Sequence, residues 1–132
     1  MAMNQTVAEP TVTTAENEAD ALVAAACLLH GLSDPNRLAI LQHLALGEHR
    51  VVDLTAHLGL AQSTVSKHLA CLRDCGLVVS RPSGRASVIS LAHPELTRDI
   101  LRAAERLLAA TGSAVVLCEN FGPAALHTLD EQ

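Results

Sequence analysis

Aromatic side chains are almost missing from these 132 residues, which contain no tryptophan, no tyrosine and one phenylalanine, Phe121. A core of stacked rings is therefore excluded. The interior has to be built from Leu, Val, Ala and Ile, and the abundance of Leu and Ala favours helix. Such a core is thin for a monomer, so burial at a subunit interface is expected. Long apolar runs are missing as well. No run of 18 apolar residues occurs, which predicts no membrane span, and the first residues lack the basic-then-apolar order of a secretory signal. A cytoplasmic location is the resulting expectation. The four cysteines (Cys27, Cys71, Cys75, Cys118) are then expected as thiols rather than structural disulfides.

Excess positive charge is also lacking, since the formal net charge is −5. Its distribution matters more than its total. Glu9, Glu16, Glu18 and Asp20 fall in the first twenty residues with no Lys or Arg among them. Between residues 50 and 85, Arg50, Lys67, Arg73, Arg81 and Arg85 face only Asp53 and Asp74. An acidic tail thus hides a locally basic middle, and overall charge does not argue against nucleic acid.

Along the chain, residues 1–18 read as a disordered acidic tail, 19–112 as one folded domain and 113–132 as a C-terminal tail. An Ala-rich helix is predicted from Ala19 to near Gly31. Ser33-Asp34-Pro35 is a cap followed by a proline in the first turn, and it opens a helix presenting Leu38, Ile40, Leu41 and Leu44. Val51, Val52, Leu54 and Leu58 trace a short third helix ended by Gly59; Ala61-Gln62-Ser63-Thr64 opens a fourth, through Val65, Leu69 and Leu72 to Gly76. Leu77–Ser80 and Ala86–Leu91 read as two strands of a hairpin, with Arg81–Arg85 as its turn-rich basic tip. Pro94 starts a long last helix that fails near Gly112.

The order helix, helix, tight turn, helix, hairpin is that of a winged helix-turn-helix: mainly α, with a small β-hairpin wing. Gln62, Ser63, Thr64, Ser66, Lys67 and His68 occupy the first two turns of the fourth helix, where short polar groups can reach base edges and phosphates. Arg81 and Arg85 flank the wing tip and can meet phosphates or a minor groove. The plain alternative, a solvated helix face beside a structural hairpin, suits Ser63 or Thr64 alone better than it suits the ordered set.

Leu32-Ser33-Asp34-Pro35-Asn36-Arg37-Leu38-Ala39-Ile40-Leu41 resembles the entry helix of the ArsR/SmtB metal-sensing repressors, and Gln62 to Leu69, running on to Gly76-Leu77-Val78, resembles their recognition helix. The resemblance implies a homodimer built on the first and last helices and bound to a palindromic double-stranded operator. It also implies repression of an export or detoxification gene, relieved by metal.

The family does not fix the metal site, so the residues must. Cys71 and Cys75 stand four apart on one helix face, with Cβ atoms roughly 6 Å apart, and can converge on one ion but not on each other. Cys118, beyond the last helix, is the natural third donor. Three sulfurs make a soft site suited to Cd(II), Pb(II) or As(III), whereas zinc would need a further donor. Leu69-Ala70-Cys71-Leu72-Arg73-Asp74-Cys75-Gly76 resembles the family's cadmium- and lead-sensing CmtR branch, in which paired cysteines of this helix join a C-terminal cysteine of the other subunit. Other family sites look absent: Arg50-Val51-Val52-Asp53 lacks cysteine, and Leu101 stands where a zinc-sensing pattern wants histidine after Asp99.

Core packing is the plain alternative for Cys75 and Cys118. Cys27, among Ala and Leu, is expected in the core or an interface rather than as a fourth ligand. His30, His43, His49 and His57 are expected as surface or capping residues. Two rival functions remain: a redox-sensing repressor of the same fold, with Cys71 pairing to Cys118, and a thiol enzyme. The enzyme reading lacks a Cys-x-x-Cys opening a helix and a Gly-rich phosphate loop, so no catalytic activity is expected.

Overall fold

The computed structural model describes residues 15–117, in the order α1 (Ala15–Gly31), α2 (Pro35–Leu44), β1 (His49–Arg50), α3 (Val51–Leu58), α4 (Gln62–Asp74), β2 (Val78–Ser83), β3 (Ala86–Leu91) and α5 (Pro94–Ala110). The expected helices and hairpin are all present. α1 begins at Ala15, ahead of the Ala19 expected from the apolar pattern, so residues 15–18, expected as part of the acidic tail, are helical. The calls on the acidic tail before residue 15, and on Cys118, lie outside the described residues.

α2 starts as its sequence dictates. Asp34 is extended, and its Oδ1 accepts the N–H groups of Asn36 (2.8 Å) and Arg37 (3.2 Å), while Pro35 sits where no N–H is needed. Partial desolvation works against ionisation of the Asp34 carboxyl. The backbone N–H groups of Arg37 and Asn36, with nearby His68 and Arg37, outweigh it and hold the carboxyl below its ordinary value. α3 ends on Gly59 in the left-handed conformation (φ 67°), which turns the chain into α4 in three residues.

The core lies where α2, α3 and α4 meet the hairpin: Ile40, Leu41, Leu54, Val65, Leu72, Val78 and Ile89 are fully buried. Each such side chain contributes about 1.5–3 kcal/mol relative to exposure. The sheet has three antiparallel strands in the order β1-β3-β2, with His49 opposite Ile89 and Val78 opposite Leu91. Two details differ from expectation. β2 runs on through Arg81, Pro82 and Ser83, leaving Gly84-Arg85 as the whole turn between the paired Ser83 and Ala86. Pro82 is tolerated because β2 is an edge strand. The two-residue strand β1 was not anticipated, since two residues carry no periodic signal.

α1 and α5 flank this core, Leu28 of α1 packing against it and Leu101 of α5 being buried, yet much of both helices faces outward. Leu22, Val23 and Leu29 on α1 and Leu96 and Leu107 on α5 are all more than half exposed.

Candidate nucleic-acid interface and thiolate seam

α4 has two chemically different ends. At its start, Ala61 supplies no side-chain cap, so the first N–H groups of the helix lack a capping side chain. Gln62, Ser63, Ser66 and Lys67 are exposed and Thr64 is half-buried, while Val65, Leu69 and Leu72 turn inward. A groove of about 640 Å³ joins this end to the wing, lined among others by Arg50, Gln62, Ser66, Ser83, Arg85 and Ser87. Arg85 at the wing turn is exposed and directed along the same surface. Arg50 is a member that the sequence reading did not place there; its side chain pairs with Asp53 at 3.3 Å, and hydrogen bonding from Arg50 lowers the Asp53 carboxyl.

One expected DNA contact, His68, is turned inward, and another, Arg81, is engaged within the subunit. The His68 side chain is only 15% exposed and faces away from the groove. Arg37 approaches its Nδ1 at 3.3 Å and, having no acceptor, must be the donor, which leaves the His68 proton on Nε2 toward Asp34 Oδ1 at 3.8 Å. Arg37 also donates to the Gly31 and His30 carbonyls, both at 2.8 Å. His68 therefore belongs to a polar joint that fastens the end of α1 to α2 and α4. Arg81 is clamped by both oxygens of Glu48 (2.8 and 2.7 Å) and would have to leave that pair to meet a phosphate.

The far end of α4 carries the sulfurs. Cys71 and Cys75 are half-buried thiols one turn apart, with Cys75 as the C-terminal cap. Cys27 was expected in the core or an interface; within the subunit it is exposed, and its Sγ lies 4.0 Å from Cys75 Sγ. The Cys75 thiol also donates to the Cys27 carbonyl at 3.2 Å. Gly31 makes the room, since a Cβ there would sit 2.8 Å from Cys75 Sγ. Burial pushes the Cys75 thiol up to about 11, assisted by its contacts with Cys27 and Cys71. As they stand, no three His, Cys, Asp or Glu side chains among the described residues converge tightly enough to hold an ion. Two sulfurs are together and the third is one helical turn away.

His43, His49 and His57 form a second cluster that the sequence did not reveal. His43 stacks on His57 with centroids 5.0 Å apart, and His49 meets both edge-on at about 6 Å. They come from α2, β1 and α3, so no local spacing announces them. His49 donates from Nδ1 to the Gly47 carbonyl at 2.8 Å, because a carbonyl can only accept, and this fixes the proton on Nδ1.

A helix-turn-helix whose second helix presents a polar start beside a β-wing defines a winged helix-turn-helix DNA-binding protein. Residues 34–80 match the family described as bacterial regulatory protein, arsR family. The chain is 38% identical over 87 residues to a probable mercury resistance operon repressor of Streptomyces lividans, spanning 66% of this chain and 68% of that protein. It is 48% identical over 75 residues to the HTH-type transcriptional regulator CmtR of Mycobacterium tuberculosis, spanning 57% of this chain and 64% of that one. The chain thus spans about two thirds of the length of these relatives. Among solved structures, the homodimeric winged helix-turn-helix domain of Mb0332 from Mycobacterium bovis superposes with a TM-score of 0.64 at 27% identity, over 75% of this chain and 95% of that one. Reduced HlyU from Vibrio cholerae superposes at 0.59 and 32% identity, over 70% and 96%. The protein belongs to the arsR family of bacterial regulatory proteins. It is a DNA-binding transcriptional regulator and not an enzyme, and no described helix is long and apolar enough to cross a membrane.

Proposed function

We propose that this protein is a cytoplasmic, homodimeric repressor that leaves its operator when a thiophilic ion, Cd(II) or Pb(II) with As(III) as a further candidate, binds Cys71, Cys75 and Cys118. The observation that carries the reading is the placement of Cys71 and Cys75 one turn apart on the helix whose opposite end presents Gln62, Ser63, Ser66 and Lys67. A load on one end of that rod acts on the other. The exposed Leu22, Val23, Leu29, Leu96 and Leu107 support pairing through α1 and α5, and one solved neighbour is itself homodimeric. The likeness to the mercury operon repressor and to CmtR supports a soft-metal effector.

The division of labour follows from chemistry. Exposed donors at the start of α4, with Arg85 at the wing, meet phosphates and base edges. The thiols at its end give up protons when they ligate, and soft sulfur favours soft ions. Ligation biases the dimer toward a spacing of its two reading heads that the operator does not fit, a coupling of about 1–3 kcal/mol in typical allosteric pairs. Cys71→Ser should bind operator DNA as wild type does and remain bound when cadmium or lead is added in a mobility-shift titration. Release of that variant by metal as readily as wild type would refute the assignment.

A redox trigger is the second reading, favoured by the neighbouring Cys27 and Cys75 thiols. With burial pushing the Cys75 thiol up to about 11, little of it is thiolate at pH 7, which disfavours it as the attacking group. Peroxide treatment followed by mass spectrometry tests this: a loss of two hydrogens coupled to operator release would support the redox trigger.

A further inference from the structure

The thiolate reading above draws on α4 and the C-terminal tail and leaves Cys27 without a role. Yet the Cys27 sulfur lies 4.0 Å from that of Cys75, across the seam between α1 and α4. That number discriminates between two uses. Two thiolates on one tetrahedral zinc, with Zn–S of about 2.3 Å, lie about 3.8 Å apart, and a larger soft ion spreads them further. A disulfide needs about 2.05 Å, so the pair stands about 2 Å too far apart for a covalent bond and already at the bite of a metal. The seam is also built to keep the sulfurs there. Gly31 leaves the space that Cys75 Sγ fills, the Cys75 thiol donates to the Cys27 carbonyl, and Arg37 pins the adjoining end of α1 through the His30 and Gly31 carbonyls.

We infer that Cys27 is a ligand of the same ion as Cys71 and Cys75, a fourth sulfur beside Cys118, so that the effector ties α1 to α4 within one subunit. This rests on the thiolate-sensing reading and sharpens it. A sphere of four sulfurs favours a tetrahedral divalent soft ion such as cadmium over As(III), which takes three. Each thiol that binds loses its proton to solvent as its S–M bond forms, and no oxidant is involved. Cys71 completes the set by rotating toward the Cys27–Cys75 pair from one turn away. Because α1 belongs to the expected dimer face and α4 reads DNA, this ligand joins those two elements directly.

The test is a cadmium(II) titration of the fully reduced, full-length protein, following sulfur-to-cadmium charge-transfer absorption, with wild type beside Cys27→Ala and Cys71→Ser. Affinity is read by competition with a chelator, and the cadmium-113 resonance reports the number of sulfurs. Cys27→Ala should still bind cadmium. It should lose about a quarter of the absorption per bound ion, one sulfur of four, shift the cadmium-113 resonance in the direction of fewer sulfurs, and bind at least about tenfold more weakly. Cys27 is exposed, so the variant folds, and an unchanged urea midpoint verifies that. Absorption, resonance and affinity all equal to wild type in Cys27→Ala, with Cys71→Ser losing them, would exclude Cys27 while leaving the thiolate sensor intact. No charge-transfer band in the wild type would overturn both.

Discussion

Substituting alanine for Gly31 separates the thiolate seam from the stability of the fold. The added Cβ would lie 2.8 Å from Cys75 Sγ, 3.4 Å from Cys75 Cβ and 3.7 Å from Leu77 Cδ1. Non-bonded heavy atoms are comfortable at about 3.5–4.0 Å, so the sulfur is overlapped by roughly 1 Å while the other two contacts are tight or ordinary. Two effects then oppose each other. Overpacking costs about 1–3 kcal/mol when nothing yields. Replacing glycine in a helix returns about 0.5–1 kcal/mol, less at a terminal position such as this one. The sulfur has one torsion with which to escape, and turning away relieves most of the overlap at the expense of its contacts with the Cys27 carbonyl and sulfur. The expected loss of stability is therefore small, about 0–2 kcal/mol, whereas the Cys27–Cys75 bite is destroyed.

The two readouts are urea unfolding of the metal-free protein and chelator-competed cadmium affinity. Gly31→Ala should keep most of its stability, still bind operator DNA, and hold cadmium at least about tenfold more weakly than wild type. Cadmium affinity equal to wild type would mean that Cys75 ligates from an orientation in which Gly31 plays no part. The α1–α4 seam would then be packing only.

The joint at Arg37 gives a second expectation. This nearly buried guanidinium serves two helix-end carbonyls and His68, so Arg37→Met should cost about 2–3 kcal/mol in urea unfolding, and a change below about 0.5 kcal/mol would show the joint to be idle. The raised Cys75 thiol gives a third. Below about 11 the thiol holds its proton, so cadmium binding must expel it, and apparent affinity should rise at least tenfold per pH unit between pH 6 and 8. In the metal-free protein the sign reverses. The unfolded thiol ionises near its ordinary 9.0 and the folded one near 11, so the contribution of Cys75 to stability is whole below pH 9 and is lost as pH rises toward 11, readable as a falling urea midpoint in wild type but not in Cys75→Ala.

Local chemistry made most of the fold legible. Asp34-Pro35, Gly59 and Pro94 each act on backbone within a few residues, and the helices they bound were readable for that reason. What failed was set by distant partners. β1 exists because His49 and Arg50 find Ile89 and Val88 some forty residues on. His68 has the composition and position of a DNA contact, but its orientation is decided by Arg37 and Asp34 on another helix. Cys27 looked like one more small apolar residue of α1, and only the packing of α1 over the end of α4 gives its sulfur a neighbour. The pair Cys71 and Cys75 was readable because helical spacing alone puts them on one face. A motif confined to one helix can be read from sequence, whereas a site shared between helices cannot.

That distinction bears on how release can work. An ion held by Cys71 and Cys75 alone would staple one turn of one helix to itself and leave the relation between α4 and the rest of the molecule unchanged. Signalling requires a ligand on a different body. On the proposed reading Cys118 would supply one, and Cys27 on α1 another. The α1–α4 relation is already held by Arg37 acting on the His30 and Gly31 carbonyls, one helical turn from Cys27. The metal-free arrangement is therefore a defined state rather than a loose one, and an ion that draws Cys27 toward Cys71 works against a fixed joint. On the proposed reading the strain would pass along α4, thirteen residues long, to the end that presents Gln62, Ser63, Ser66 and Lys67. A soft hinge at Arg37 would absorb the pull instead. On that reading, the residue that fastens the end of α1 is also what would let metal at one end of the helix be felt at the other.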